Sequence, residues 1–201
     1  MATLGDRLLF ATHNEGKVEE LRALFQPLGV GLVSARELGL PEPAETETTF
    51  VGNARIKAHA AARASGLPAL ADDSGLCVDA LGGAPGVYTA DWAEGPGGRD
   101  FLRAMTRTYD ALLANGAKEP WSARFRCTLV LAFPDGQDEV YEGEVSGRLV
   151  WPLRGALGHG YDPMFMPDGD TRTFAEMAPD EKNAVSHRAR ALEALIAKRF
   201  T

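Results

Sequence analysis

Cysteine is scarce in this sequence, with two residues, Cys77 and Cys127, among 201. Two thiols make no cysteine-based metal framework. Both lie in apolar, strand-like runs, where a reduced thiol behaves as a small hydrophobic side chain. We therefore expect two reduced core thiols and a reducing, cytoplasmic setting.

Long apolar runs are also missing, since no stretch approaches the roughly 18 apolar residues of a membrane span. Residues 1–7 lack the basic region and apolar core of a secretory signal. These absences predict that the chain has no membrane partner. The rest of the composition, 45% hydrophobic and 24% charged, is that of an ordinary globular protein. Its length suits a single domain over 1–201, or two small lobes sharing one.

An excess of basic residues is the third absence, because the formal net charge is −7. A general nucleic-acid binder normally carries a basic surface, so we expect no nucleic-acid partner. A single nucleotide is a different case, because a small polyanion needs only a local positive pocket and a metal ion.

The first half of the chain alternates strand and helix patterns. Residues 8–11 read as a strand, and 18–28 as a helix that Gly29 ends. Residues 30–34 read as a second strand. A second helix starts near Thr48 or Thr49 and ends at Gly66, and residues 68–78 form a buried strand that 72–75 interrupts.

The second half adds a helix over about 99–115 and a hairpin. Strands at about 122–133 and 138–150 flank the turn at residues 134–136, and a loop at 155–172 leads to a final helix ending near Phe200. Interleaved strands and helices followed by a hairpin indicate an α/β fold with a mixed sheet. The inward residues of the third helix are predicted to be Phe101, Leu102, Met105, Tyr109, Leu112 and Leu113.

The end of the first strand is a candidate phosphate site. A strand that leads through polar residues and a glycine into a helix places free backbone N–H groups and the positive helix end at one point. Lys17 adds a mobile positive charge there, and Thr12 and Asn14 add hydrogen bonds. The glycine pattern is not that of a Walker loop.

Asp72 and Asp73 are a candidate metal site. Two adjacent acids in an apolar stretch are unfavourable to bury unpaired. In a strand they point to opposite faces, so both serve one site only if the strand ends or bends, for which Ser74 and Gly75 are suitable residues. Carboxylates beside a phosphate ligand are what Mg²⁺ requires. A third oxygen ligand could come from one of the loop acids Glu42, Glu45 and Glu47.

Further candidates lie on helices and in the late loop. Lys57 lies mid-helix among alanines, and Gly158 and Gly160 around His159 permit close approach of a flat ligand. Ser186 is a suitable N-cap that places His187 and Arg188 in the first helical turn. Each feature alone also has an ordinary explanation: a simple strand-to-helix loop, an Asx turn, a solvated acid, a surface lysine or a surface His-Arg pair.

Taken together, these segments resemble the inosine triphosphate pyrophosphatase family, in the family's order and over about residues 8–195. Several motifs in register are far more specific than any one of them. The matching stretches are ATHNEGK at 11–17, TFVGNA at 49–54, ADDSGL at 71–76, GGAPGVY at 82–88, GHGYDP at 158–163 and EKNAVSHR at 181–188.

The resemblance implies a fold, a reaction and a set of site residues. The fold is an elongated mixed β-sheet flanked by helices, with two lobes, a central cleft and a homodimeric assembly. The reaction is Mg²⁺-dependent hydrolysis of unusual purine triphosphates (ITP, dITP, XTP) to the monophosphate and pyrophosphate, with one or more Mg²⁺ ions per subunit. Asp73 is implied as the catalytic residue, and Glu45, Asp72 and Asp73 as metal ligands. The implied substrate-binding residues are Thr12, His13, Asn14, Glu15, Gly16, Lys17, Lys57, Ser74, His159, Gly160, Tyr161, Asp162, Lys182, His187 and Arg188.

Four positions depart from the family pattern. His13 replaces a common glycine, Gly52 replaces a glutamate and Asp91 replaces an arginine. His159 stands where the family has a phenylalanine that stacks on the purine. Neutral imidazole also stacks, so we expect base binding to be retained.

The mechanism that follows is attack of water on the α-phosphorus, with Asp73 orienting or deprotonating that water and Lys17 and Lys57 stabilising the leaving pyrophosphate. Donors on His187, Arg188 or the nearby backbone would pair with the purine 6-carbonyl, which adenine lacks. Two alternatives stay open: a related pyrophosphatase for modified pyrimidine nucleotides, and a non-catalytic nucleotide sensor.

Overall fold

The computed structural model of the chain describes residues 4–200, without the side chains of Glu15, Gly16, Glu20, Ala23 and Leu24. It is an α/β protein with a six-stranded mixed sheet, as predicted. The strands are β1 (Arg7–Phe10), β2 (Gly31–Ser34), β3 (Ala69–Val78), β4 (Trp121–Ala132), β5 (Asp138–Leu149) and β6 (Phe165–Pro167). The helices are α1 (Glu15–Phe25), α2 (Phe50–Ser65), α3 (Phe101–Ala114), α4 (Pro179–Val185) and α5 (His187–Arg199).

The sheet order is β2-β1-β3-β4-β5-β6. Strand β1 pairs in parallel with both β2 and β3, and Leu9 faces Val33 on one side and Ala69 on the other. Strand β6 pairs antiparallel with β5. The predicted hairpin joins β4 and β5, where the Phe133 N–H donates to the Gln137 carbonyl at 2.9 Å. The sheet is mixed, since strands β1, β2 and β3 are parallel and the other end of the sheet holds the β4–β5 hairpin and β6.

The chain divides into two compact units. The first takes in the residues up to Asp73, Thr128–Glu142 and the residues from Ala194 onward. The second takes in Ser74–Cys127 and Gly143–Glu193. A single pyrophosphatase domain over 1–201 stays a prediction, as does the cleft.

Small side chains fill the part of the first unit's core that lies beside helix α2. Helix α2 begins after Thr49, whose hydroxyl accepts the Gly52 N–H, and it ends at Gly66 in the left-handed conformation, as predicted. Apart from the buried Asn53 near its start, the buried residues of α2 are alanines, whose small side chains let the helix lie close to the sheet. This cluster consists of Leu9, Ala54, Ala58, Ala61, Ala62, Ala69, Ala71, Val130 and Ala132.

Aromatic side chains dominate the core of the second unit. Phe125 contacts Phe165 edge-on at a centroid distance of 4.7 Å, and Phe174 lies within 5.1 Å of Phe165. Tyr161 is buried in the same core. Among residues 4–200, no helix has the length and apolarity that crossing a membrane requires.

The expectations about strand β3, the loop at 155–172 and the burial of two leucines were wrong, and one helix was not predicted. Strand β3 runs through 72–75 without interruption. Leu102 and Leu113 point outward from α3, with 58% and 52% of their surface exposed. The loop at 155–172 contains the short strand β6, and the separate helix α4 precedes the final helix.

Candidate functional site: a lysine-bearing acidic cluster and an aromatic histidine cluster

The turn between β1 and α1 has the local bonding of a helix start. Asn14 is the N-cap, and its side-chain oxygen accepts the Lys17 N–H at 3.3 Å. The Thr12 hydroxyl accepts the Asn14 N–H at 3.2 Å. Both bonds hold the first turn of α1 at the end of β1, where its free N–H groups favour an anion. Glu15 and Gly16 were also predicted to bind substrate, but their side-chain positions lie outside the described part of the structure.

Lys17 reaches from this turn to Asp72 on the neighbouring strand. Its Nζ lies 2.8 Å from Asp72 Oδ2 and 3.1 Å from Oδ1. Asp72 is 4% exposed, so the ion pair provides the compensation that a buried carboxylate requires. The structure thus brings the predicted phosphate loop and the acidic pair into direct contact, although 55 residues separate them in sequence.

Asp73 is buried beside a different set of groups. The side-chain amide of Asn53 donates to its Oδ2 at 3.3 Å. Burial raises the pKa of Asp73 to about 6, the charge of Lys57 opposes this, and the charges of Glu45 and Asp72 add to it. Because β3 is continuous here, the two acids reach one charged cluster from successive positions of an unbroken strand, and no bend is needed.

Lys57 is a largely buried member of the same cluster and not a surface lysine. Its Nζ lies 2.5 Å from Glu45 Oε1, and its side chain is 11% exposed. Burial alone would lower the pKa of Lys57, but the charges of Asp72, Asp73 and Glu45 outweigh burial and raise it. The ammonium group therefore stays protonated among three carboxylates.

His13 connects the predicted phosphate loop to the acidic loop, the segment that carries Glu42, Glu45 and Glu47. Its Nε2 lies 2.9 Å from the Leu40 carbonyl, and its Nδ1 lies 3.9 Å from Glu42. His13, Leu40, Glu42 and Lys57 all line a cavity of about 100 Å³ between this loop and helix α2. The departure from glycine at position 13 thus adds a contact that glycine cannot make.

The three predicted metal ligands do not form a ready cluster. Among residues 4–200, leaving aside the side chains of Glu15 and Glu20, there is no group of three or more acidic, histidine or cysteine side chains arranged to hold a metal ion. Mg²⁺, however, is commonly held by one or two carboxylates, with substrate phosphates and water completing its shell. Burial is the main cause of the raised pKa of Asp73, and the charges of Glu45 and Asp72 raise it further. A divalent cation would offset both the burial of these carboxylates and their mutual repulsion. The donor set fits Mg²⁺ on chemical grounds.

In the second unit, the loop over 158–162 folds around a buried carboxylate. Asp162 Oδ2 accepts the His159 N–H at 2.7 Å and also pairs with the Lys182 ammonium. Gly158 allows this, because a Cβ there would lie 2.1 Å from the same oxygen. His159 itself is exposed and flanked by Gly160. Tyr161 was predicted at the base pocket, but its side chain is 1% exposed and lies in the core, where its hydroxyl is 3.5 Å from that of Thr108.

Helix α5 carries the His-Arg pair at its start, as predicted. The Ser186 hydroxyl accepts the Ala189 N–H at 3.1 Å and so caps the helix. His187 stacks on Phe125 with ring centroids 5.0 Å apart and an angle of 12°. Both His187 and Arg188 are buried. Gly143 on β5 lies under this turn, since a Cβ there would be 2.1 Å from the His187 carbonyl oxygen.

Aromatic rings of the second unit's core lie between Lys182 and His187. Lys182 Nζ lies 5.8 Å from the Phe174 ring, Phe174 stacks on Phe125 at 6.0 Å, and Phe125 stacks on His187. Asp162, Lys182 and His187 therefore belong to one connected cluster. Ser74 is partly buried at the point where β3 enters this unit.

Two residues of the site were not predicted. Asn53 is a buried amide within the TFVGNA stretch, and its position beside small apolar residues was the signal that could have identified it. Phe125 had no such signal, because an aromatic in an alternating strand pattern is indistinguishable from an ordinary core residue.

Comparison with known proteins supplies the remaining findings. The model of the Ham1 family matches residues 8–198. A dITP/XTP pyrophosphatase of Ruegeria pomeroyi is 68% identical over 192 residues, which cover 96% of this chain and 94% of the relative. Another from Mesorhizobium japonicum is 56% identical over 200 residues, with 94% and 91% covered.

The fold of the chain is also similar to that of solved structures from the same group of proteins. A HAM1 protein from Coxiella burnetii has a TM-score of 0.90 at 37% identity and covers 96% of this chain and 97% of its own. A nucleoside-triphosphatase / dITP/XTP pyrophosphatase from Mycobacterium abscessus has a TM-score of 0.77 at 39% identity, with 94% and 98% covered.

Proposed function

The chain belongs to the Ham1 family, and from this premise we propose that it hydrolyses unusual purine nucleoside triphosphates (ITP, dITP, XTP) to the monophosphate and pyrophosphate. The reaction removes these nucleotides from the nucleotide pool. The resemblance drawn from the sequence motifs is confirmed by relatives whose names are dITP/XTP pyrophosphatase.

The main structural support for this activity is the pairing of two lysines with carboxylates in the first unit. Two lysines, Lys17 and Lys57, are each paired with a carboxylate inside one acidic cluster. A triphosphate offers the same lysines stronger acceptors, and so both ammonium groups can move to phosphate oxygens while the carboxylates turn to other cations. This exchange binds the polyanion in a protein whose net charge is negative.

We assign the role of general base to Asp73, and its raised pKa supports this assignment. A pKa of about 6 makes it ionised at neutral pH yet a better proton acceptor than an ordinary aspartate. It would take a proton from the water that attacks the α-phosphorus, and Lys17 and Lys57 would stabilise the charge on the departing pyrophosphate.

Glu45, Asp72 and Asp73 would hold Mg²⁺. The ion, when bound, supplies neutralisation of phosphate charge and Lewis-acid polarisation. The dependence on Mg²⁺ is part of the proposal.

The second unit supplies groups for a purine. His187 and Arg188 lie at the capped start of α5, and His159 is exposed beside two glycines. Donors at this end would pair with the 6-carbonyl of hypoxanthine or xanthine, and adenine would leave them without an acceptor. We further propose a homodimer and a cytoplasmic location, with a nucleoside triphosphate as the small-molecule partner.

A pyrophosphate-release assay tests the function. The wild-type chain is mixed with ITP, dITP, XTP, ATP, GTP and modified uridine triphosphates, each with Mg²⁺ and with EDTA. We expect release from ITP, dITP and XTP in Mg²⁺ and loss of release in EDTA. Preference for a pyrimidine triphosphate, or tight nucleotide binding without pyrophosphate release, would contradict the proposal.

A further inference from the structure

We propose that Asn53 is a positioning residue for catalysis, whose side-chain amide sets the orientation of the Asp73 carboxylate and links it to the acidic loop. The inference rests on the proposed function. It goes beyond the residues that the resemblance implies, because Asn53 is not among them.

Asn53 is a polar residue in an apolar position. It lies in the first turns of α2, is 3% exposed, and is followed by the alanine face that packs on the sheet. A buried amide is unfavourable unless both of its ends are hydrogen-bonded. Both ends of this amide are bonded, and each bond reaches a different part of the cluster.

The orientation of the amide is fixed by a backbone donor. The Glu47 N–H donates to Asn53 Oδ1 at 3.0 Å, and a backbone N–H has no other role than to donate. The opposite end, Nδ2, must therefore face Asp73, and it donates to Asp73 Oδ2 at 3.3 Å. The geometry leaves one assignment of oxygen and nitrogen, which makes Asn53 a directed donor to the catalytic carboxylate.

The acidic loop depends on the same amide. Glu47 packs so closely on α2 that a Cβ at Gly52 would lie 2.6 Å from the Glu47 Cβ. The absence of a side chain at Gly52, a departure from the family pattern, thus lets Glu47 reach Asn53. Glu45, two residues earlier, pairs with Lys57. Asn53 joins the segment that carries Glu45 to the strand that carries Asp73.

The consequence is a carboxylate with one oxygen held. Asp73 lies among the charges of Lys57, Glu45 and Asp72, all of which change partners when a triphosphate binds. Asn53 is uncharged and fixed on a helix, so its bond to Oδ2 persists through that exchange. This bond keeps the proton-accepting group at a constant angle to the attacking water, and a misplacement of about 1 Å at such a group lowers turnover by about 100-fold.

Three variants separate this role from simple support of the loop. Asn53→Asp keeps an acceptor for the Glu47 N–H but has no donor for Asp73. Asn53→Ala lacks both groups. Thr49→Val removes the cap of α2, where the hydroxyl accepts the Gly52 N–H at 3.1 Å, and leaves both bonds of Asn53 in place. All three are assayed with ITP in saturating Mg²⁺, with thermal unfolding of each variant as a control.

A positioning role predicts a split between kcat and KM. We expect kcat to fall roughly 10- to 100-fold in both Asn53 variants, with KM within threefold of wild type. Thr49→Val should keep kcat within about twofold while lowering the melting temperature by a few degrees.

Other outcomes overturn the proposal. Wild-type kcat in Asn53→Asp together with a loss in Asn53→Ala would mean that the amide only holds the loop. A fall in kcat for Thr49→Val equal to that of the Asn53 variants would mean a general weakening of α2. Absence of pyrophosphate release by the wild-type chain would instead overturn the proposed function, and this inference with it.

Discussion

At the residue scale, the burial of Asp73, the proposed general base, opposes stability at neutral pH. Its pKa is about 6 in the folded chain against an ordinary value of 3.8. The folded state therefore binds the proton more tightly than the unfolded state does. The contribution of Asp73 to the free energy of unfolding is fully present below about pH 4. That contribution is lost as the pH rises toward and through 6, because an ionised carboxylate must then remain buried.

The variant Asp73→Asn should separate the two properties. We expect pyrophosphate release to be nearly abolished, because the amide accepts no proton. In metal-free buffer at pH 7.5 the variant should be more stable than wild type by up to about 3 kcal/mol, the equivalent of the pKa shift. Urea unfolding at pH 7.5 and pH 4 measures this, and the gain should disappear at the lower pH. Hydrolysis at the wild-type rate would refute the catalytic role.

The sequence predicted that Asp72 and Asp73 need compensation but not which groups provide it. The partners Lys17, Lys57 and Asn53 come from two helices that only the folded sheet brings together. Tyr161 is a residue whose burial the sequence did not indicate. Its position in a glycine-rich motif suggested ligand contact, yet an aromatic ring next to such a loop equally suits the core, and periodicity does not distinguish the two.

At the element scale, the orientation of helix α3 distinguishes two adjacent leucines. Leu112 is fully buried in the aromatic core, whereas Leu113 is 52% exposed. Leu112→Ala should lower the free energy of unfolding by about 2–5 kcal/mol, because a cavity remains. Leu113→Ala should change it by no more than about 0.5 kcal/mol. Chemical denaturation of the pair measures both, and equal losses would place the helix in a different rotation.

The cap of helix α5 connects an element to substrate binding. Ser186→Ala removes the acceptor of the Ala189 N–H and should lower stability by about 1 kcal/mol. We also expect KM for ITP to rise, because His187 and Arg188 occupy the turn that loosens. Ser186→Thr, which retains a hydroxyl, is the matched control for steady-state kinetics and thermal unfolding. Unchanged KM in the alanine variant would show that the turn is held by its packing alone.

Elements with strong end signals were predicted well from the sequence. Helix α2 has its cap at Thr49 and its stop at Gly66 as expected, and the β4–β5 hairpin follows its turn residues. Strand β6 was missed because three residues carry no periodicity. The continuity of β3 was missed because Ser74 and Gly75 are turn-forming residues that pairing with neighbouring strands overrides.

At the scale of the whole molecule, Mg²⁺ should stabilise the fold. Asp72 and Asp73 are adjacent in sequence, but only folding brings Glu45 close to them. The complete set of proposed ligands therefore exists only in the folded chain, so the binding free energy of the ion adds to stability. At about a hundredfold excess over its Kd we expect the melting temperature to rise by roughly 5–10 °C. Differential scanning fluorimetry with Mg²⁺ and EDTA measures this rise. Asp73→Asn should show a smaller rise, and an equal rise in both proteins would place the ion elsewhere.

Gly143 gives the molecule a constraint of another kind. The carbonyl of His187 occupies the space where any other residue would carry its first side-chain atom. A substitution of Gly143 by alanine would therefore press on the backbone of His187, a proposed purine contact, although Gly143 itself has no side chain to offer a substrate. In a library of random mutants, such a position behaves like an active-site residue although it has no chemistry of its own.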